Sequence, residues 1–248
     1  PTFGVGGKLV LDLLPDASLN VSVAMAVRHT DGKTVLVAAT YPDATPSAWQ
    51  ALVIRLDEDG DPDPTFSTDG WTLLDIPDAV YDSPEAVRVD DLGRIHFVLN
   101  ASGGAGYRPY YARLAATGPV EILEVIDFGE VWVAEDLALD PVAGTPILAL
   151  RDSSADLDAG MVVRLEPDGD LDPTFGNAGF VDLTLEEGSL MRSISLQSDR
   201  KIVLAGDIDH TGTQERGFFL ARLLSDGAFD PSFDGNGVVR YEFDVLVD

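Results

Sequence analysis

A segment of sixteen residues recurs along this chain and constrains its fold more than any other feature. Copies beginning at Arg55, Arg164 and Arg222 follow the pattern R-L-x-x-D-G-x-x-D-P-[T/S]-F-x-x-x-G, and residues 1–7 repeat the tail of that pattern. A fourth copy begins at Arg113 but lacks the D-P-[T/S]-F part. The four arginines are 58, 51 and 58 residues apart, so the short interval matches the missing turn. A fixed period of this length indicates a repeat architecture.

Short apolar runs rich in Val, Ile and Leu lie between the motif copies and are separated by turn residues, as in strands. Four such runs are predicted in each repeat. Four antiparallel strands repeated radially are how β-propellers avoid exposed sheet edges. We therefore predict an all-β protein, a β-propeller of four four-stranded repeats of about 58 residues with a spare C-terminal strand at Val238–Phe243. A β-solenoid is the main competitor, and its usually shorter coils pair in parallel.

The spacing predicts a single propeller domain over residues 1–248, with repeats at approximately 1–63, 64–118, 119–172 and 173–230. Residues 231–248 have two interpretations. They close the ring beside the first repeat, or they are an extra strand of a longer array.

The motif copies resemble the bacterial delta-60 repeat family, whose units carry a D-G-x-L-D-P-[T/S]-F-G-like signature and a preceding D-G-K hairpin. Asp31-Gly32-Lys33 and Asp199-Arg200-Lys201 are similar to that hairpin. The resemblance spans essentially the whole chain, although residues 113–140 depart from it. It implies a propeller-like repeat fold and carries no catalytic residue onto this sequence.

Each residue type that recurs in the motif copies has a structural explanation. An arginine inside an apolar strand requires a partner, so we predict pairing with an acid of the motif turn; a ring of arginines that binds an anion is the alternative. The phenylalanines are spaced like wedges between adjacent sheets. The predicted structural residues of the repeat are Arg55, Arg113, Arg164, Arg222, Asp63, Asp172, Asp230, Phe3, Phe66, Phe175 and Phe233.

Charge restricts the partners that this chain can take. It has 43 Asp and Glu against 16 Lys and Arg, a net charge of −27, which repels nucleic acids and anionic lipids. No apolar run reaches the ~20 residues of a membrane helix, and the absence of cysteine excludes disulfides and thiolate chemistry. An exported or cell-surface protein is favoured by analogy with similar repeats.

Candidate binding residues come from the longest and most variable loops, which repeat geometry places on one face. They are Tyr41, Trp49, Tyr107, Arg108 and His210. No cofactor is firmly indicated. Calcium is the one favoured by the alternating carboxylates of Asp57, Asp59, Asp61 and Asp63, with ordinary turn acids as the other interpretation. No H-E-x-x-H, G-x-S-x-G or Walker sequence is present, and the histidines do not recur between repeats.

The leading hypothesis is a non-enzymatic binding or scaffolding propeller that uses these loops, because no catalytic constellation is visible. Its partner would be a protein or a small-molecule ligand, with self-association through the chain ends as a further option. One alternative is a calcium-dependent propeller hydrolase or lactonase, in which Glu85 and Glu135 occupy matching positions in neighbouring repeats while Arg192 replaces them in the last. Another is a structural segment of a longer surface repeat protein.

Overall fold

A computed structural model of the chain describes residues 8, 10, 18–41, 49–77, 79–103, 106–128, 132–153, 159–183, 185, 189–209 and 216–243. All regular structure in these residues is β-sheet. The first two sheets contain β1 (Ser18–Val27), β2 (Thr34–Tyr41), β3 (Gln50–Leu56), β4 (Trp71–Leu74), β5 (Ala79–Val89), β6 (Ile95–Gly103), β7 (Gly106–Leu114) and β8 (Val120–Val125). The next two contain β9 (Trp132–Leu139), β10 (Pro146–Asp152), β11 (Gly160–Arg164), β12 (Phe180–Asp182), β13 (Ser189–Leu196), β14 (Ile202–Asp209), β15 (Arg216–Leu223) and β16 (Val238–Phe243).

Each sheet is a four-stranded antiparallel meander whose strands pair in chain order. The first hairpin of each sheet is closed by a tight turn; in the first sheet Gly32 has a φ of 69°, a conformation that costs glycine little. The predicted fold class, an all-β protein of four four-stranded propeller sheets, is confirmed for the part of the chain that the structure describes.

The strand at Val238–Phe243 is not spare, and that part of the prediction is wrong. It is β16, which pairs with β15 as the fourth strand of the fourth sheet. The reason lies in the motif turn. The Arg55 amide donates to the Gly70 carbonyl at 2.8 Å, and Ile54 pairs with Trp71, so the chain folds back onto the sheet it has just left. Each sheet therefore begins one strand later than the sequence repeat.

The chain forms two compact units, residues 1–126 and 127–248, with two sheets in each. The single propeller domain over residues 1–248 stays a prediction. None of the described residues forms a helix long and apolar enough to cross a membrane.

In both units the two sheets pack face to face in the same way. We call the side of a sheet that carries its motif arginine the arginine face. In unit 1, Val37 and Val53 on the arginine face of the first sheet share one core with Phe97 and Leu114 of the second. In unit 2, Ala149 and Val162 on the arginine face of the third sheet share one core with Phe219, Ala221 and Leu223 of the fourth. The arginine face of one sheet thus receives the opposite face of the next.

Candidate functional site

The motif arginine organises a buried cluster in the first sheet. Arg55 Nε donates to Asp63 Oδ2 at 2.8 Å, and Nη2 donates to Thr65 Oγ1 at 2.9 Å. The other carboxylate oxygen of Asp63 accepts the Thr65 amide at 2.9 Å and its hydroxyl at 2.7 Å. The guanidinium also lies 4.9 Å from the centre of the Phe66 ring, a cation–π contact. This cluster fastens the motif turn to β3.

The same cluster recurs at the other two full copies. Arg164 Nε is 2.7 Å from Asp172 Oδ2, and Arg222 Nε is 2.8 Å from Asp230 Oδ2. The predicted pairing of these arginines with the motif aspartates is therefore present. Because the guanidinium groups are held by their own turns, the structure gives no support to the alternative of an anion-binding ring.

The degenerate copy keeps the pairing with a different acid. Arg113 Nε donates to Glu121 Oε2 at 2.8 Å, and Glu121 stands eight residues after the arginine, as Asp63 does after Arg55. Sequence reasoning missed this acid because it looked for the D-P-[T/S]-F letters. The spacing of eight residues was the signal that could have found it.

The lysine of the D-G-K hairpin completes the cluster. Lys33 Nζ lies 2.8 Å from Asp63 Oδ2, and Lys201 Nζ lies 3.1 Å from Asp230 Oδ2. Burial would raise the pKa of Asp63, but hydrogen bonds from Lys33 and Thr65 and the charge of Arg55 hold it well below its ordinary value. Asp63 is therefore ionised across the physiological pH range, and the hairpin and the motif are two parts of one structural device.

The four carboxylates proposed as a calcium site do not converge. Asp57 Oδ1 accepts the amides of Asp59 and Asp61 at 3.1 and 2.9 Å within its own turn, whereas Asp63 is engaged by Arg55 and Lys33. Among the described residues, no group of three or more His, Asp or Glu side chains is arranged to hold a metal ion. The interpretation of these acids as ordinary turn residues fits the structure.

The predicted binding residues that the structure describes lie at one end of the strands, which we call the loop end: the end at which the second and third strands of each sheet are connected. Trp49 precedes β3, and its ring packs edge-on against Tyr81 of β5 at 5.5 Å. His210 lies outside the described residues, and Tyr41 is described only as the last residue of β2.

Tyr107 and Arg108 lie on strand β7, which corrects the prediction that they belong to one of the variable loops. Asn100 pairs with Pro109 and Gly103 with Gly106, so β6 and β7 continue as a long hairpin. Tyr107 pairs with Ser102 across that hairpin and is 44% exposed. The alternation in the sequence was obscured here by glycines and a proline, which usually mark loops.

Glu85, Glu135 and Arg192 occupy matching positions, as the sequence comparison of neighbouring repeats indicated. Each is the extra residue at a shift of register between the first two strands of its sheet. Such bulges re-aim a side chain. Glu85 Oε1 accepts hydrogen bonds from Ser83 at 2.9 Å and Asn100 at 3.1 Å.

In unit 2 the bulge residues are joined in an ion-pair network. Glu135 accepts a hydrogen bond from Arg151 Nε at 2.7 Å and lies 3.6 Å from Arg192 Nη1, while Arg192 Nε donates to Asp207 at 2.8 Å. The carboxylate of Glu135 is thus neutralised by two guanidinium groups. That arrangement fits a fixed structural pair better than a ligand for calcium.

Asp82 is the one carboxylate among the described residues whose two oxygens are both buried without a hydrogen-bond partner. It lies on β5 opposite Ala101, and its exposed fraction is 0%. Burial, together with the nearby charge of Asp75, raises its pKa to about 7. Nothing in the sequence singles out this residue, because an aspartate near the start of a strand is unremarkable.

Asp82→Asn should change how stability depends on pH. The pKa of Asp82 is 3.8 when unperturbed and about 7 in the folded chain, so the folded form holds more protons in between. Asp82 therefore contributes stability at low pH that is lost as pH rises from about 4 to about 7. The free energy of unfolding of the variant, relative to that of the parent protein, should therefore increase through that window and then level off, as measured by urea unfolding.

His96 provides the internal comparison. It is fully buried, with Nδ1 2.8 Å from the Tyr111 hydroxyl and Nε2 3.3 Å from Asp90 Oδ2. Burial lowers the pKa of His96 from 6.5 to about 4. The contribution of His96 to folding stability therefore increases with pH over that range, whereas that of Asp82 decreases. Removing Asp82 should leave this rising slope visible; parallel curves for parent and variant would contradict the assignment.

An open groove of about 590 Å³ lies in unit 2. Its walls include Thr174, Gly176 and Asn177 of the motif turn, with Phe180, and Asp226 and Gly227 of the fourth sheet. It is the seam between two structural turns, and we assign no ligand to it.

Comparison with known proteins identifies the class of the fold. The family described as a β-propeller domain of unknown function, DUF5122, matches residues 29–66, 155–175 and 197–233. These segments contain the D-G-K and D-R-K hairpins and the three complete motif copies from the arginine as far as the phenylalanine. The chain is thus a repeat protein of β-propeller type. Comparison with curated proteins gives no match.

Solved structures of similar fold include levansucrases of very different sequence. Bacillus subtilis levansucrase is 10% identical over 98% of this chain and 77% of its own, with a TM-score of 0.54. A double mutant of that enzyme in complex with oligosaccharides is 11% identical over 98% and 78%, with a TM-score of 0.52. A B. megaterium levansucrase mutant is 13% identical over 93% and 72%, with a TM-score of 0.51. At such identities the likeness is one of fold alone.

Proposed function

We propose that this chain is a non-enzymatic binding propeller that uses the loop end of unit 1 to hold a cationic segment of a partner protein. The observation that carries the proposal is the exposed aromatic and apolar surface there. Tyr107 is 44% exposed and Val80 56% exposed, and Val80 adjoins the Trp49–Tyr81 pair through a hydrogen bond from the Trp49 amide to its carbonyl at 3.1 Å. Exposed aromatic side chains on a rigid scaffold are typical of binding surfaces.

The charge of the chain favours a cationic partner. The net charge of −27 attracts basic groups over a distance of about 10 Å in moderate salt, and aromatic faces bind guanidinium and ammonium groups. Electrostatic attraction would increase the association rate, and the aromatic residues would provide the contact area.

The alternative of a calcium-dependent hydrolase draws less support from these residues. It would require a cation held by carboxylates such as Glu135, and that carboxylate already binds Arg151 and Arg192. The assignment of the repeat to the delta-60 type is likewise an inference, supported by the three motif copies and by the lysines that join the D-x-K hairpins to them.

The proposal can be tested with a short peptide of alternating lysine, arginine and glycine, followed by calorimetry and by the fluorescence of the three tryptophans. We expect saturable binding that weakens as salt is added. Tyr107→Ser should weaken it about tenfold, the loss of one aromatic contact worth roughly 1–1.5 kcal/mol.

Leu92→Ser is the matched control. Leu92 is 70% exposed and lies in the first hairpin turn of the same sheet, at the end opposite to the loop end. It should leave peptide affinity unchanged. Equal affinities for the parent protein and Tyr107→Ser would show that the peptide binds to diffuse surface charge, and the proposal would then be abandoned.

A further inference from the structure

The fourth sheet presents an arginine face that no described residues cover. Phe218 is 38% exposed, Tyr241 53% and Phe243 55%. The rings of Phe218 and Tyr241 are stacked at 5.0 Å, and those of Phe218 and Phe243 lie 5.8 Å apart, so the three form one patch on β15 and β16. In the first and third sheets the corresponding face is covered by the next sheet.

The covered examples show which polar contacts accompany the apolar packing. Arg55 Nη1 donates to the carbonyl of Ala116, and Arg164 Nη1 donates to that of Ser225. Each acceptor lies 61 residues further on, in a turn of the following sheet. One arginine thus holds its own motif turn with two of its nitrogens and the neighbouring sheet with the third.

A second backbone hydrogen bond lies beside the first in both cases. The Ser67 amide donates to the Thr117 carbonyl at 2.9 Å, and the Gly176 amide donates to the Asp226 carbonyl at 2.8 Å. Ser67 and Gly176 share an unusual left-handed backbone, with φ of 51° and 52°. A glycine follows each acceptor, and a Cβ on Gly227 would lie only 3.0 Å from the Phe175 ring.

The fourth sheet has the same donors without acceptors. Arg222 Nε and Nη2 bind Asp230 and Ser232, but its Nη1 has no acceptor among the described residues. Asp234 has the left-handed backbone of Ser67 and Gly176, with a φ of 50°, and its amide likewise has no acceptor in the described part of the chain. Phe233 is only partly buried, whereas Phe66 and Phe175 are fully buried.

We propose that this face is the docking surface for one further four-stranded sheet of the same repeat. The occupant has a stated chemistry: an aliphatic sheet face like that of Ala221 and Leu223, and a turn that offers two successive main-chain carbonyls before a glycine. Two copies of this interface already exist within the chain, and the free donors of the fourth sheet match them position by position. Its exposed rings, Phe218, Tyr241 and Phe243, stand where Ala51, Leu74 and Ile76 are buried in the first sheet.

The test adds such a sheet to the full chain. A second copy of residues 183–243 is appended after Phe243, with Phe218→Leu, Tyr241→Leu and Phe243→Leu in the added copy, so that its peptides differ in mass from those of the host. Oxidation of the host aromatic residues by hydroxyl radicals is then measured by mass spectrometry. We expect oxidation at Phe218, Tyr241 and Phe243 of the host to fall severalfold, with the extended chain remaining monomeric.

Two host variants test the contacts separately. Leu220→Asp places a carboxylate within the apolar face and should abolish the protection. Arg222→Lys keeps the charge next to Asp230 but removes the Nη1 donor that would reach the added sheet. It should weaken the protection while the host sheet stays folded.

Two results would overturn the proposal. One is unchanged oxidation of the host aromatic residues in the extended chain. This result counts against the proposal whether the added sheet is folded elsewhere or is digested by protease. A repeat sheet requires a neighbour to bury its face, so in either case the host face has not served as that neighbour. The other is a dimer of the unextended chain in which Phe218, Tyr241 and Phe243 are already protected, since the occupant would then be a second copy meeting this face directly.

Discussion

Arg55→Ala is expected to destabilise unit 1 by about 3–5 kcal/mol, because it leaves the ionised carboxylate of Asp63 buried with Lys33 as its remaining cation. It also removes the hydrogen bonds to Thr65 and to the Ala116 carbonyl of the next sheet, and the contact with Phe66. Thermal and urea unfolding should both report the loss, with a melting temperature lower by roughly 10 °C.

Arg113→Ala is the control for this prediction, because it removes the arginine from the same position of a different repeat. Its acid, Glu121, has a side chain that is 35% exposed and can be solvated by water once the arginine is gone. We expect a loss of about 1 kcal/mol or less from this pair. Similar losses for the two variants would mean that the arginine contributes through its aliphatic stem and not through the buried carboxylate.

Phe175→Ala should destabilise unit 2 by about 3–5 kcal/mol, the usual loss for a large aromatic residue in a core. Phe175 is fully buried in the cluster shared by the third and fourth sheets, and its ring lies 4.6 Å from the Arg164 guanidinium. The cavity would open at the seam between the sheets. Hydrogen exchange should therefore accelerate in both β11 and β15, which flank that seam.

Phe233→Ala is the matched comparison, since Phe233 has the same position in the next motif copy and the same contact with its arginine, at 4.6 Å. Because it is only partly buried, its removal should cost about 1–2 kcal/mol. If the two alanine variants were equally destabilised, burial by the following sheet would not be what distinguishes the two positions.

The elements of the fold were largely predictable from the sequence. The apolar runs and Asp-Gly turns identified most strands, and the period indicated four sheets. The strand at which each sheet begins was predicted wrongly, one strand too early. The motif turn looks the same in the sequence whether it joins two sheets or two strands of one sheet. The two cases differ in whether the strand after the turn pairs with the strand before it, as Trp71 pairs with Ile54. Pairing across a long turn leaves no local pattern in the sequence.

The candidate sites were less predictable, for reasons that differ between residues. The pairing of Arg55 with Asp63 followed from the need to neutralise a cation inside an apolar strand. The four acids at 57–63 alternate like ligands, but the turn directs them to different partners. Asp82 could not be anticipated, because its perturbed state depends on burial by residues distant in the sequence, such as those of the first sheet.

The shared use of one guanidinium by two sheets has a consequence for how such a protein can change its length. Arg55 and Arg164 each carry the donor for the sheet that follows, and that sheet carries the carbonyl turn that accepts it. A duplicated gene segment of one period therefore arrives with both halves of the joint already encoded, and no compensating substitution is needed at the new boundary. Arrays built this way can gain or lose units by recombination while every internal junction retains its chemistry.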